Sequence, residues 1–203
     1  MYSYFSIQEK SEYIYKDKGS KFYGYAFPCS DISDIDQNLL HIKQLHPKAT
    51  HHCYAYRLGM DRNIFRTNDD GEPGNTAGKP ILGQIDALGI TNILVIVVRY
   101  FGGTKLGVGG LIDAYKRTAM HTLAEASIIE KILLDTLKLT THYDRQQDIY
   151  KIIRQYEGNI LETATDGYNI SVLVTLPSQY NIHLNSFQEN YPYLRLDIIK
   201  TLG

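Results

Sequence analysis

Tryptophan is missing from this chain, cysteine occurs only twice, and neither sign of charge prevails. Two cysteines, Cys29 and Cys53, exclude a disulfide framework and provide no CxxC pair for zinc. A reducing, cytoplasmic location is therefore expected. Lys and Arg number 21 against 22 Asp and Glu, and the balance holds on both sides of Lys131. This excludes a protein that coats nucleic acid through bulk charge, so any such contact has to come from a local patch. The longest apolar run, Ile93 to Val98, is far too short to cross a bilayer. Met1-Tyr2-Ser3-Tyr4-Phe5-Ser6 lacks the basic and apolar regions of a secretory signal. No membrane partner is expected, and there is neither an internal repeat nor a low-complexity tract.

What is present is an ordinary globular composition, 43% hydrophobic and 21% charged, with 17 tyrosines that fall largely in strand-like segments. Lys21 to Phe27 alternates and predicts a strand. Ser30 or Asp31 can cap a helix whose apolar positions Ile32, Ile35, Leu39, Ile42 and Leu45 recur at three- and four-residue steps until His46-Pro47. Cys53 to Leu58 predicts a second strand. Gly59 to Pro80 is polar and predicts a long loop, followed by a helix from Asn75 or Pro80 to Ala87 with Gly89 as its stop. Ile93 to Val98 predicts a strand buried on both faces. Leu111, Ile112, Tyr115, Ala119 and Leu123 trace the inner face of a further helix, with Asp113 and Arg117 pairing on its outer face.

Beyond Lys131 the rhythm changes. Leu137, Leu139 and Thr141 alternate, and Ile149, Ile152, Ile153 and Tyr156 have helical spacing. Ile160 to Thr165 predicts a strand, Asp166-Gly167 a hairpin turn, and Ile170 to Leu176 its partner strand. Pro177-Ser178 opens a helix through Tyr180, Leu184 and Phe187, and Leu194, Leu196 and Ile198 close with a strand. This β-α-β-β-α-β order is that of a ferredoxin-like domain. The expected class is α+β, with domains at 1–130 and 131–203 joined near Glu130-Lys131.

The chemistry concentrates at Arg99-Tyr100-Phe101-Gly102-Gly103-Thr104-Lys105-Leu106-Gly107-Val108-Gly109-Gly110. Glycines let the backbone approach a ligand, and the first free N–H groups of the following helix attract anions. Arg99 and Lys105 add charge, so Arg99, Tyr100, Gly102, Gly103, Lys105, Gly107, Gly109 and Gly110 are candidate phosphate-binding residues. A packed strand-to-helix turn explains the same glycines without a ligand. Walker A fails because Val108-Gly109 stand where Lys and Ser/Thr belong, and Ile112 occupies the last glycine position of GxGxxG. His51, Cys53, Tyr56, Asp70, Glu72, Thr76 and Lys79 are candidates for the rest of a polar cleft. His51 and Cys53 share one strand face and His52 the other, so no four-ligand metal site is expected. Asp69-Asp70-Gly71-Glu72 lacks the later glutamate of a calcium loop and reads as an acidic turn. No cofactor is implied.

Several of these segments together resemble the IMPACT/YigZ family: Thr50-His51-His52-Cys53-Tyr54-Ala55-Tyr56; Asp70-Gly71-Glu72-Pro73 with Thr76-Ala77-Gly78; Ile81-Leu82, Ile85, Ile90 and Ile96-Val97; and Arg99-Tyr100-Phe101-Gly102-Gly103 with Leu106-Gly107. The resemblance covers close to the full length. It implies an N-terminal domain of the ribosomal protein S5 domain 2-like α/β sandwich type. It also implies a ferredoxin-like C-terminal domain similar to one in elongation factor G. Eukaryotic relatives act in translational control through an additional RWD domain, which this chain does not show, so that partner is not carried over. For bacterial relatives the resemblance implies a nucleic-acid- or ribosome-associated role.

Three functions remain open on the sequence: an RNA-, ribosome- or translation-partner-binding protein that takes phosphates at the glycine loop, an enzyme acting on a small phosphorylated ligand or phosphoester, and an adaptor for a protein segment. In the first, Lys116 and Arg117 add phosphate contacts and Tyr54, Tyr56, Tyr100 and Phe101 stack on bases. In the second, Asp70, Glu72 or His51 serves as acid, base or metal ligand.

Overall fold

The computed structural model describes residues 2–183 and 189–202, and it divides into two compact units, Tyr4–Lys131 and a second made of Met1–Ser3 with Ile132–Gly203. The larger unit is built on a five-stranded antiparallel sheet in the order β2-β3-β6-β4-β5. Its strands are β2 (Ser11–Asp17), β3 (Ser20–Pro28), β4 (His51–Leu58), β5 (Ile64–Asn68) and β6 (Ile93–Tyr100). A separate two-stranded sheet pairs β1 (Ser3–Ile7) with β7 (Ile128–Ile132).

β6 is the central strand and is covered on both faces, which is why its sequence is continuously apolar rather than alternating. Ile93, Val95 and Val97 pack with Phe22, Cys53 and Ala55 against the helices α2 (Gly78–Ala87) and α3 (Gly107–Ala124). Leu94, Ile96 and Val98 pack with Tyr25, Phe27, Tyr54 and Tyr56 against α1 (Ile32–Leu45). The result is a helix–sheet–helices sandwich with two cores, one on each side of a single sheet. Each fully buried Ile or Leu contributes roughly 1.5–3 kcal/mol over an exposed one.

α1 starts where its cap is predicted: Asp31 accepts from the Asp34 N–H at 3.0 Å, and Lys43 lies in the last turn where a cation suits the dipole. Two expectations are corrected. The segment predicted as loop from Gly59 to Pro80 contains β5, an edge strand whose residues are too exposed to show an alternating pattern. Ile112 belongs not to the inner face of α3 but to its surface, at 38% exposure, because one residue's 100° turn carries it off the Leu111–Tyr115–Ala119 stripe.

In the second unit a four-stranded antiparallel sheet has the order β11-β8-β10-β9. The strands are β8 (Leu134–His142), β9 (Asn159–Thr165), β10 (Asn169–Pro177) and β11 (Arg195–Leu202). α4 (Gln146–Gln155) follows β8 and seals the sheet with Ile149, Ile152 and Ile153 against Leu137, Leu139, Val172 and Val174. The β9–β10 hairpin turns at Asp166-Gly167, where the Asp166 carboxylate accepts from the N–H groups of Tyr168 and Asn169. The helix predicted after Pro177 is a 3-10 turn over Ser178–His183. Leu184 and Phe187 lie outside the described residues.

Candidate functional site at the head of helix α3

At the end of β6 the chain enters the glycine loop, and here the α2/α3 side of the sheet opens into a cleft of about 450 Å³. Its wall includes His51, Glu72, Arg99, Phe101, Lys105 and Gly107. Register puts His51 opposite Arg99 on neighbouring strands, which points both side chains into this face. Glu72 arrives from the connection between β5 and α2.

Glu72 is the hub. Although only 8% exposed, its Oε1 accepts from Arg99 Nη1 at 2.7 Å and from the Tyr115 hydroxyl at 2.7 Å, and lies 3.8 Å from His51 Nε2. Arg99 is itself 5% exposed, with its guanidinium 5.6 Å from the rings of both Phe22 and Phe101. Two charges are therefore removed from water together and satisfied mainly by each other.

His51 is oriented by the acidic turn. Because the Asp70 carbonyl can only accept, the 2.7 Å contact to His51 Nδ1 fixes the proton on Nδ1. In the neutral ring this leaves the Nε2 lone pair on the Glu72 side. Asp70 holds a left-handed backbone conformation (φ 42°) and its carboxylate accepts from the His52 N–H at 2.6 Å. Non-glycine residues occupy that region at a cost. Asp69 caps α2 from a distance: its Oδ1 accepts from the N–H groups of Ala77 and Gly78 at 2.9 and 2.8 Å, and Oδ2 from that of Asn75 at 2.8 Å. The acidic turn is thus a bracket between β4 and α2, not a solvated loop tip.

The head of α3 is open. No side chain caps it, no acidic residue occupies its first turn, and Gly107 (φ 73°) bends the chain into the helix beside Lys105. Gly102 serves another purpose: a Cβ there would lie 1.9 Å from the Gly19 carbonyl carbon, so only glycine lets the loop seat against the β2–β3 turn. Lys105 is exposed and, among the described residues, makes no ion pair.

The structure brings His51, Glu72, Arg99, Lys105 and Gly107 together. Gly109 and Gly110 fall in the first turn of α3 without lining the cleft, and Gly103 stands in open space. Tyr100 faces the other side of the sheet, where its hydroxyl meets His46 Nδ1 at 3.0 Å; Tyr56 lies in that same core. Lys79 is exposed on α2 and does not line the cleft, and Thr76 bonds the Pro73 carbonyl at 2.6 Å. Cys53 is buried one layer below, its single thiol proton shared between two acceptors, the Asp69 carbonyl at 3.0 Å and the Tyr115 hydroxyl at 3.3 Å. Burial pushes its pKa up, as it does that of Tyr115, which favours the neutral thiol over the thiolate that a nucleophile needs. Among the described residues no group of three His, Cys, Asp or Glu is arranged to hold a metal ion. Sequence reasoning missed Tyr115 and Asp69 as organisers. Tyr115 carries only the signal of an apolar helix stripe, and the role of Asp69 depends on a contact eight residues away.

The Impact N-terminal domain matches residues 18–123, over half of the chain and all of this cleft. The chain belongs to the IMPACT family. It is 34% identical to IMPACT family member YvyE of Bacillus subtilis over 70% of this chain and 66% of that one. To IMPACT family member YigZ of Escherichia coli it is also 34% identical, over 68% of each. Protein IMPACT of Rattus norvegicus is 30% identical over 57% of this chain, which corresponds to 35% of that longer protein. A solved structure described as a hypothetical protein superposes on 98% of both chains with TM-score 0.72 and 27% identity. Within the IMPACT fold as seen here, the matched segment contains the acidic bracket, the buried pair and the head of α3.

Proposed function

We propose that this protein binds RNA or the ribosome in translation or its regulation, holding a phosphate group in the cleft at the head of α3. The observation that carries this reading is the convergence in one cleft of Lys105, which makes no ion pair among the described residues, with the uncapped first turn of an 18-residue helix. Free N–H groups and a nearby ammonium are what a phosphate oxygen requires. Arg99 has a different part from the one the sequence alone suggests: with Nη1 committed to Glu72, it stiffens the wall and backs Phe101. The ribosome-associated role that the family resemblance implies for bacterial members favours a translation partner over an unrelated anion. The sheet and helix arrangement of residues 1–130 supports an S5 domain 2-like sandwich. In 131–203 the fourth strand lies beside the first, the first beside the third and the third beside the second, which supports a ferredoxin-like domain. A cytoplasmic location fits this role, and no helix among the described residues is long and apolar enough to cross a membrane.

The test is binding of labelled RNA and of ribosomes by the full chain across a salt series. Lys105→Gln is expected to weaken binding and to lower the slope of log K against log salt by about 0.7 if the RNA is single-stranded. Unchanged affinity in that variant overturns the assignment of the cleft.

One observation favours a second reading. The Asp70 carbonyl fixes the tautomer of His51 and presents Nε2 to the cleft, an arrangement suited to a proton acceptor acting on a bound phosphoester. Release of phosphate or of cleaved product from a nucleotide and phosphodiester panel, lost in His51→Gln, would establish it. A silent panel would rule the enzyme out for those substrates.

A further inference from the structure

We infer that the cleft at the head of α3 takes a whole unpaired nucleotide, its base against Phe101 and its phosphate at Lys105, so that the RNA is single-stranded where it enters. This rests on the RNA reading above and adds a base subsite to the phosphate site.

The lining of the cleft is the first reason. A phosphate alone calls for N–H groups and cations, yet Pro73, Phe101, Leu106, Val108 and Leu111 supply much of this wall. Two of them face solvent, Phe101 at 47% exposure and Val108 at 59%. Apolar surface beside a cation and an open helix head suits a ligand that is flat and apolar at one end and anionic at the other. A nucleotide is such a ligand. Sites for ligands of this size are mostly apolar, with a few polar groups that fix orientation, and the cleft of about 450 Å³ is of that kind.

Phe101 is held in place for stacking. Its backbone N–H donates to Thr50 Oγ1 at 3.3 Å, and the next residue, Gly102, is seated against Gly19 where no side chain fits. The Arg99 guanidinium lies 5.6 Å from the ring, so a buried cation backs an aromatic that is otherwise half open. The sequence offers four aromatics as base stackers. Tyr54, Tyr56 and Tyr100 belong to the core on the α1 side of the sheet, whereas Phe101 lines the cleft.

Arg99 supplies an independent reason. It lines the cleft at 5% exposure and gives Nη1 to Glu72, but its buried Nε has no hydrogen-bond partner. Buried donors are nearly always paired, so the floor of the cleft has a use for an acceptor brought in by a ligand. Every base carries a carbonyl oxygen or a ring nitrogen that can accept. Stacking and a single donor discriminate little among bases, so the subsite tolerates any sequence. A duplex keeps its bases stacked on one another and offers none to Phe101.

The test uses the full chain with a fluorescent oligouridylate, an abasic oligomer of the same length and charge, and an RNA duplex, with anisotropy measured across a salt series. The wild type is expected to bind oligouridylate about 5- to 150-fold more tightly than the abasic oligomer. Phe101→Ala is expected to abolish that preference without changing the salt slope, because a stacked ring releases no counterion. Phe101→Trp should keep the preference and Phe101→Leu should lose it, an opposition that a misfolded cleft does not produce. If the abasic oligomer binds as tightly as oligouridylate and both depend on Lys105, the base subsite is wrong and the phosphate site stands. Duplex bound as tightly as the single strand also overturns the inference. Absence of any RNA binding by the wild type removes the RNA reading and the base subsite with it.

Discussion

Glu72 shows how much one residue can hold in this protein. Its carboxylate joins a strand-borne arginine, a helix-borne tyrosine and a histidine across three elements, and its removal leaves Arg99 buried without a counter-charge. Glu72→Gln is expected to cost about 3–5 kcal/mol, read from urea unfolding; a loss under about 1 kcal/mol would mean that water reaches the pair. On the opposite face of the sheet, His46 lies between the hydroxyls of Tyr25 at 2.7 Å and Tyr100 at 3.0 Å, and His52 bonds the His46 carbonyl. Burial lowers the pKa of both histidines from the ordinary 6.5. The unfolded chain then takes up protons before the native one does, so the stabilisation is full above 6.5 and is lost as the pH falls from 6.5 through the depressed native values. Thermal melts should show the wild type losing stability over that window more steeply than His46→Gln; parallel curves would contradict this. At the residue scale the sequence reveals faces but not partners. His51 and Cys53 share a face by simple alternation, whereas the Glu72–Arg99 pair spans 27 residues and leaves no local trace.

Among the elements, α2 depends on a cap that does not adjoin it. Ala77 has no side-chain oxygen, and Asp69 receives three N–H groups instead. Asp69→Ala should cost about 1.5–3 kcal/mol in unfolding experiments, as hydrogen bonds to a charged group do. It should also loosen the Asp70 carbonyl that orients His51. Asp69→Asn, which keeps an acceptor, should recover part of the loss. β6 and α1 are legible from the sequence because burial on two faces and burial on one stripe each impose a distinct periodicity. β5 is not, since an exposed edge strand is specified by its neighbour β4 and not by its own pattern. The turn after Pro177 escapes for a related reason: a proline start suits the first turn of either an α-helix or a 3-10 helix.

At the scale of the whole molecule, a net charge of -1 conceals an uneven distribution. Acidic groups are used internally, in the bracket, the buried pair and the caps, while among the described residues Lys105 of the glycine loop makes no ion pair. The glycine loop and the conversion of apolar pattern at Lys131 are legible in the sequence. The open head of α3 and its meeting with the β2–β3 turn are not, because they depend on Gly102 and Gly19 touching across a distance in sequence that no motif spans. The central claim is that this end of the N-terminal unit holds RNA phosphate. Its most direct test is the affinity of the intact chain for a labelled single-stranded RNA as salt is raised, with Lys105→Gln in parallel. Binding that falls steeply with salt, and less steeply in the variant, is the predicted result. Binding that is absent at low salt, or indifferent to salt and to Lys105, would contradict it.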